Sequence, residues 1–453
     1  MLLIEKSWWA IFIVLLACGK GNGGTDVVDL AKPVFVAATI TNGAEDVAAG
    51  EQTIVLTYDQ NVTLPNAAGI TLNGETVGKA SAAFKELRVV VDLQRATSYT
   101  LIVPANSIKG PGGLGADEVQ LSFRTKGTID TEIATALVTQ NPSAQAKNVY
   151  DFLRSSFGEK VLSGAMANVN WNTHEAEWVH QHTGKYPALN CFDFIHLYAS
   201  PVNWIDYSNT QVVENWWNAG GVVAAMWHWN VPKSSGNLDY AFYTQETNFD
   251  VSQAIINGTA ENAIIQADLE KIADYLLLLK AKNIPVIWRP LHEAAGKWFW
   301  WGAKGADSYR ALWRLMFNTF KDKGLNNLIW VWTSETEDEA WYPGDEYVDI
   351  IGCDLYNKTT ATDVIAVFDN IRETYPSKIL ALSEFGNAAA LQAQWSGGAT
   401  WSWVMPWYDY ERTASTTGSA FQQQTHQHAD IAYWKAMLAS DKVITRDEVP
   451  NLK

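Results

Sequence analysis

The chain has 453 residues, with 33 Lys and Arg against 49 Asp and Glu, so its formal net charge is −16 at pH 7. That shortage of cations argues against nucleic acid as a partner, because phosphate binding needs a basic footprint. An apolar share of 47% excludes a disordered chain, and at roughly 150 residues per domain two or three domains are expected.

The N-terminus reads as a targeting segment. Lys6 supplies a positive end, and the apolar run from Trp8 to Ala17 is too short to span a bilayer as a mature helix. Leu15-Leu16-Ala17-Cys18 closes that run and resembles a bacterial lipobox, in which the Cys is lipidated and becomes the mature N-terminus. Residues 1–17 then form a lipoprotein signal peptide, and residues 18–31 the lipidated Cys18 and a Gly-rich tether. The resemblance implies a bacterial cell-envelope protein anchored to the outer membrane. The competing reading is a plain signal peptide with an incidental Cys18.

Residues 32–127 read as all-β. Alternating runs at 52–58, 88–93, 99–103 and 119–124 are separated by turn signals at Asn42-Gly43, Asn73-Gly74 and Pro111-Gly112-Gly113. The spacing fits a small β-sandwich and resembles the bacterial immunoglobulin-like domains that precede extracellular enzymes. From Gly19 to Ser143 there is neither Trp nor His. With no Trp for stacking on sugar, a spacer role is expected there. Residues 128–143 read as a linker or arm.

Residues 144–453 hold 20 of the 22 Trp and all eight His. Trp is a flat, amphipathic surface suited to sugar rings. Eight apolar runs are expected as strands, at 161–166, 187–194, 222–229, 285–292, 328–333, 349–356, 379–385 and 400–407. Helical periodicity is clearest at 262–282, 308–323, 362–375 and 426–439. Alternating strands and helices over this length predict an α/β fold, a (β/α)8 TIM barrel, with its active site at the C-terminal ends of the strands.

Two carboxylates stand at such ends. The fourth run closes with Arg289-Pro290-Leu291-His292-Glu293 and the seventh with Ser383-Glu384-Phe385-Gly386. A Glu after a fully apolar strand is costly unless it is paired or used. Two of them, flanked by Trp-rich loops, suit glycoside hydrolysis: one carboxyl protonates the leaving oxygen and the other attacks the anomeric carbon. Their separation, which decides between retention and inversion, cannot be measured from sequence. His228 ends the third run between Trp227 and Trp229 and is a further candidate.

The placing of the two glutamates on the fourth and seventh runs resembles that of clan A of the retaining glycoside hydrolases. Within that clan, Arg289-Pro-Leu-His292-Glu293 followed by Gly296-Lys-Trp298-Phe-Trp300-Trp301-Gly302 resembles glycoside hydrolase family 26, as do Gly352-Cys-Asp354-Leu-Tyr356 and Leu382-Ser-Glu384-Phe-Gly386. Most members are endo-β-1,4-mannanases. The resemblance implies Glu293 as acid/base and Glu384 as nucleophile. It also implies Arg289 and Tyr356 as hydrogen-bond donors to Glu384, with His228 and His292 in the −1 subsite. Trp298 falls on the leaving-group side and Trp403, placed at the end of strand 8, under the −1 sugar. Asp354 is given a supporting, orienting role. Many members carry Asn or Asp two residues after the acid/base, where this chain has Ala295.

The implied partner is β-mannan or manno-oligosaccharide, bound by a monomer. Rival enzymes within the family are a β-glucanase, a β-1,3-xylanase and an exo-mannobiohydrolase. The non-enzyme alternative is a sugar-binding lipoprotein, which the presence of both glutamates opposes. No cofactor is expected, because there is no P-loop, GxGxxG, GxSxG or zinc-spaced Cys/His cluster. The pairs His180/His182 and His426/His428 read as surface positions on helices rather than metal ligands, since i and i+2 face apart. Cys191 and Cys353 read as small buried apolar residues. Trp216, Trp313 and Trp434 read as helix-borne core, and Trp171, Trp300 and Trp301 as cleft wall or packing.

Overall fold

The computed structural model describes residues 31–67, 69–127, 132–168, 171–202 and 204–453. The signal peptide and Cys18 lie outside them. Among the described residues, no helix is long and apolar enough to cross a membrane.

Residues 32–127 form two sheets. One has the order Phe35–Ala38, Gly50–Tyr58, Glu86–Leu93, Lys79–Ala83, and the other Ala44–Val47, Val119–Thr125, Ser98–Val103, Thr71–Leu72, Glu75–Thr76. The alternation in Glu86–Leu93 turns Leu87, Val89, Val91 and Leu93 inward against Leu101, Leu121 and Phe123 of the other sheet. The Asn73-Gly74 turn has positive φ at both residues, as a two-residue hairpin requires. This sandwich does not hang free. Arg95 forms an ion pair with Asp369 and Lys126 with Glu373. Thr362 Oγ1 also donates to the Glu51 carbonyl at 2.8 Å. The expected spacer is therefore docked on the barrel helix Ala361–Thr374.

Residues 132–143, read above as linker, form a strap along the barrel. Val138 N donates to Asp349 Oδ1 at 2.7 Å, Thr139 Oγ1 to the Leu328 carbonyl at 2.8 Å, and Asn326 Nδ2 to the Asn141 carbonyl at 2.7 Å. Burial raises the Asp349 pKa to about 7.

The barrel strands are β1 (Val161–Met166), β2 (Leu189–Asp193), β3 (Val222–Trp227), β4 (Val286–Pro290), β5 (Leu328–Ser334), β6 (Ile350–Tyr356), β7 (Ile379–Gly386) and β8 (Trp403–Pro406). All neighbours are parallel, and β1 pairs with both β2 and β8, which closes the cylinder. Buried on both faces, the strands are near-continuous apolar runs, which is why their sequence pattern is plain. A short strand, Val443–Ile444, also pairs with β1. Trp216, Trp313 and Trp434 are core, as expected, and Trp171, Trp300 and Trp301 pack as well. Cys191 and Cys353 are buried and free.

One helix start differs. The last long helix runs Ile431–Leu438, with the Asp430 side chain accepting from Tyr433 N. His426 and His428 precede it and are not helical. Nor is His426 on the surface: its side chain is 1% exposed. His180 stacks on Tyr186 at 3.9 Å, and His182 Nε2 lies 3.1 Å from the Phe421 carbonyl oxygen.

Candidate active site

Arg289 organises the mouth of the barrel. It lies on β4 next to Met226 of β3 and is 3% exposed. One terminal nitrogen donates to Asp354 Oδ2 and the other to Glu384 Oε2, each at 2.7 Å. Burial opposes its charge, but the two carboxylates more than offset this and keep it protonated. Alternation along β6 puts Gly352, Asp354 and Tyr356 on one face. Gly352 is needed there, since a Cβ would lie 2.5 Å from Ser383 Oγ. That hydroxyl donates to Asp354 Oδ1 at 2.8 Å.

Glu384 on β7 stands across the ladder from Asp354. Its second oxygen, Oε1, accepts from the Tyr356 hydroxyl at 2.5 Å. Glu293 arrives differently. The strand stops at Pro290 because Leu291 and Glu293 both take positive φ, 50° and 52°, conformations that L residues hold only when their surroundings impose them. Here Tyr309 OH donates to the Leu291 carbonyl at 3.0 Å, and Trp301 Nε1 to the His292 carbonyl at 2.9 Å. Gly302 completes the fit, because a Cβ would lie 2.1 Å from the Ala294 oxygen. Trp298, 39% exposed, donates from Nε1 to Glu293 Oε2 at 3.0 Å.

The carboxylates differ in proton affinity. Burial, then the charges of Asp354 and Glu384, push Glu293 up to about 9. Burial and Asp354 also raise Glu384, but Arg289 and Tyr356 work against them and leave it at about 7. Glu293 therefore takes up a proton before Glu384 does. A protonated carboxyl facing an ionised one is what acid–base work on a glycosidic oxygen requires. Oxygens of Glu293, Asp354 and Glu384 all lie within 4.8 Å of one another, close enough for a cation. The Arg289 guanidinium, bonded to two of the three, supplies that charge already.

His228 is fixed by a residue the sequence reading passed over. Asp193, the last residue of β2, accepts from His228 N at 3.1 Å, and its Oδ2 lies 2.6 Å from Nδ1. This leaves Nε2 for other partners. The overlooked signal was the one that singled out the glutamates, an acid closing an apolar strand. His292 is 1% exposed, its ring 4.7 Å from that of His228, and burial together with Arg289 and His228 keeps it neutral.

Trp403 is not at the mouth. It opens β8, pairs with Leu162 near the start of β1, and is 2% exposed, so it is core at the opposite end of the barrel. Trp407, just past the end of β8, is half-buried with its ring 5.8 Å from that of His228. Trp407, rather than Trp403, is the tryptophan of this segment that stands beside His228. The loop that carries it is braced by Glu175, which accepts from Asp409 N and Thr413 Oγ1, each at 2.7 Å, and lies 3.1 Å from His426 Nε2.

A model of glycosyl hydrolase family 26 matches residues 138–431, a span containing every residue of the site described above. The chain belongs to that family.

Among its family 26 relatives, a mannan endo-1,4-β-mannosidase of Thermothelomyces thermophilus is 36% identical over 323 residues, covering 68% of this chain and 62% of the relative. Mannan endo-1,4-β-mannosidase B of Piromyces is 32% identical over 71% of this chain and 55% of its own length. The chain thus spans less than two thirds of these relatives. A crystal structure of the family 26 domain of a Prevotella bryantii endo-β-mannanase/endo-β-glucanase is 38% identical with a TM-score of 0.64, over 70% of this chain and all of that one. A β-mannanase from a symbiotic protist of the termite Reticulitermes speratus, solved with a gluco-manno-oligosaccharide, is 36% identical with a TM-score of 0.61, over 71% of this chain and 99% of that one.

Proposed function

We propose that this chain hydrolyses β-1,4-mannosidic linkages inside mannan, glucomannan or galactomannan, with retention of configuration. The observation that carries the mechanism is the distance of 4.8 Å or less between oxygens of Glu293 and Glu384. Retaining glycosidases hold their carboxyl groups about 5–5.5 Å apart, whereas inverting ones leave ~6.5–9.5 Å for a water. The choice of mannan and of internal cleavage is supported by the relatives named as mannan endo-1,4-β-mannosidases.

In the first step Glu384 attacks the anomeric carbon and forms a glycosyl ester, while the bond to the leaving oxygen breaks. That oxygen takes the proton of Glu293. Because Trp298 occupies Oε2, the proton resides on Oε1. In the second step the Glu293 carboxylate removes a proton from water, whose oxygen displaces Glu384. Arg289 and Tyr356 hold the Glu384 carboxylate for attack and stabilise it as it departs. His228, fixed by Asp193, and Trp407 form the wall and floor for the sugar under attack.

We also propose that Cys18 carries a lipid that holds the enzyme, as a monomer, at a bacterial outer membrane. This rests on residues 15–18 after an apolar run.

Digestion of mannohexaose, with cellohexaose alongside, tests the activity. Internal cleavage of mannohexaose with the β-anomer formed first is expected in proton NMR spectra. Preference for cellohexaose would overturn the substrate, release of mannobiose alone from chain ends the endo action, and a first-formed α-anomer the mechanism.

A further inference from the structure

β5 closes as β2 does, with an acid behind a buried run. Leu328–Ser334 is buried throughout, and Glu335 follows it. The turn that presents Glu335 is tightly built. Asp338, 4% exposed, accepts from Glu335 N at 2.7 Å and from Ser334 Oγ at 2.8 Å. Thr336 and Glu337 take positive φ, 66° and 53°, which a β-branched Thr holds only where its surroundings impose it. The two-step chemistry makes no use of the Glu335 carboxyl, and burial raises its pKa to about 7. A half-buried carboxyl is costly to keep without a partner. Here the partner is the loop that follows Glu293: Glu335 Oε2 accepts from Gly296 N at 2.8 Å.

That loop has little of its own to hold it. Between Glu293 and Trp298 stand Ala294, Ala295, Gly296 and Lys297, and only the exposed Lys297 has a polar side chain. Glu293 and Lys297 both take positive φ. Thr244 ties down one side of the loop. Its N donates to the Trp298 carbonyl at 2.7 Å and its Oγ1 to the Lys297 carbonyl at 2.8 Å. Glu335 ties down Gly296. A Cβ on Gly296 would lie 1.7 Å from the Trp298 ring, so the indole rests on the Gly296 backbone and sits where that backbone is held. The indole Nε1 in turn donates to Glu293 Oε2 at 3.0 Å.

We propose that Glu335 is a positioning residue for the acid/base: through Gly296 N it seats the Trp298 indole, and the indole aims the Glu293 carboxyl. The proposal rests on Glu293 as the acid/base. It carries a signed consequence. The Trp298 N–H favours the ionised form of Glu293 and lowers its proton affinity, so an unseated indole lets that affinity rise.

The test compares two variants of the full-length enzyme. Glu335→Asp keeps the charge but is one methylene too short to reach Gly296 N, whereas Glu335→Gln keeps the acceptor and loses the charge. Each is assayed for kcat/KM on mannohexaose, whose leaving sugar needs a proton, and on a dinitrophenyl mannobioside, whose leaving group does not. Glu335→Asp is expected to lose about tenfold on mannohexaose, a share of the ~10²–10⁴-fold that a general acid contributes, and to stay within about twofold on the aryl substrate. Its alkaline limb on mannohexaose should move up by about half a pH unit. Glu335→Gln should keep the wild-type ratio of the two substrates, and its limb should not move up. A parallel loss on both substrates would mean a merely structural brace and overturns the proposal. So does a Glu335→Asp that matches wild type, or a Glu335→Gln that matches Glu335→Asp. Should Glu335→Asp fold poorly, Glu335→Ala is read in its place by the same outcomes. Glu293→Ala, run alongside, separates this proposal from the reading beneath it. If Glu293→Ala spares mannohexaose, the acid/base assignment falls and the proposal with it. If Glu293→Ala is impaired and Glu335→Asp is not, only Glu335 loses its role. Cleavage of cellohexaose and not mannohexaose would overturn the mannan reading alone, and the same comparison is then made with cellohexaose and dinitrophenyl cellobioside.

Discussion

The Tyr356 hydroxyl donates to Oε1 of Glu384 at 2.5 Å, while Arg289 holds the other oxygen. Glu384, the proposed nucleophile, therefore has both oxygens occupied before substrate arrives. In the glycosyl ester one of these oxygens becomes bonded to carbon, so the hydrogen bonds must strengthen again as the ester breaks. Tyr356→Phe removes one of two bonds to a charged group, worth ~1.5–3 kcal/mol. The expected result is a kcat on mannohexaose lowered by about 10- to 150-fold, with KM changed little. Equal kcat values would remove Tyr356 from the chemistry.

The two glutamate roles separate under mutation. Glu384→Ala should abolish turnover on every substrate, because nothing else can form the ester. Glu293→Ala loses a proton donor worth ~10²–10⁴-fold on natural substrates. On a dinitrophenyl glycoside its first step should stay fast and the ester should accumulate. Azide should then rescue it and give a β-glycosyl azide, identified by NMR. An α-azide from Glu293→Ala would reverse the assignment or make the mechanism inverting.

The pH profile follows from the order of the pKa values. The proposed mechanism needs Glu293 protonated, so activity should be lost as pH rises through about 9, and Glu384 ionised, so activity should be lost as pH falls through about 7. A bell between these limits is expected in kcat/KM. The Asp354 charge raises both groups, so Asp354→Asn should move both limbs to lower pH. A shift of either limb upward would contradict the electrostatics described here.

Docking of the sandwich depends on Arg95 and Asp369, whose side chains are each 12% exposed. Arg95→Ala leaves Asp369 without its partner at a cost of about 3 kcal/mol. Scanning calorimetry should show the sandwich melting separately from the barrel. One unshifted transition would mean that the contact contributes nothing.

Lipidation predicts that Cys18→Ala releases the protein from the membrane fraction without changing its kinetics. Wild-type protein found wholly in the soluble fraction, with no acyl mass on Cys18, would exclude the anchor.

The barrel was legible because parallel strands are buried on both faces and so appear as unbroken apolar runs. Glu293 and Glu384 stood out as charges at the ends of such runs. Trp403 was misplaced because the run at 400–407 has no internal mark of where its pairing begins; only the Leu162 register shows that Trp403 lies at the bottom and Trp407 at the top. The helix expected from 426 failed for a local reason. His426 Nδ1 accepts from His428 N and Ala429 N, which holds the backbone in a turn until Asp430 caps the helix. The docking of the sandwich was hidden altogether, because Arg95 and Asp369 are 274 positions apart.

The pairing of β1 with Val443–Ile444 has a consequence for synthesis. Val161 meets Val443, so the first barrel strand must wait for 282 further residues before that partner exists. During translation β1 and β2 can pair early, but the other edge of β1 stays open until β8 and this short strand leave the ribosome. An open edge is a template for pairing with other chains, and closure across so long a loop is slow. A nascent chain that stalls before residue 443 therefore leaves β1 without one of its neighbours, even though Glu293 and Glu384 have both been made.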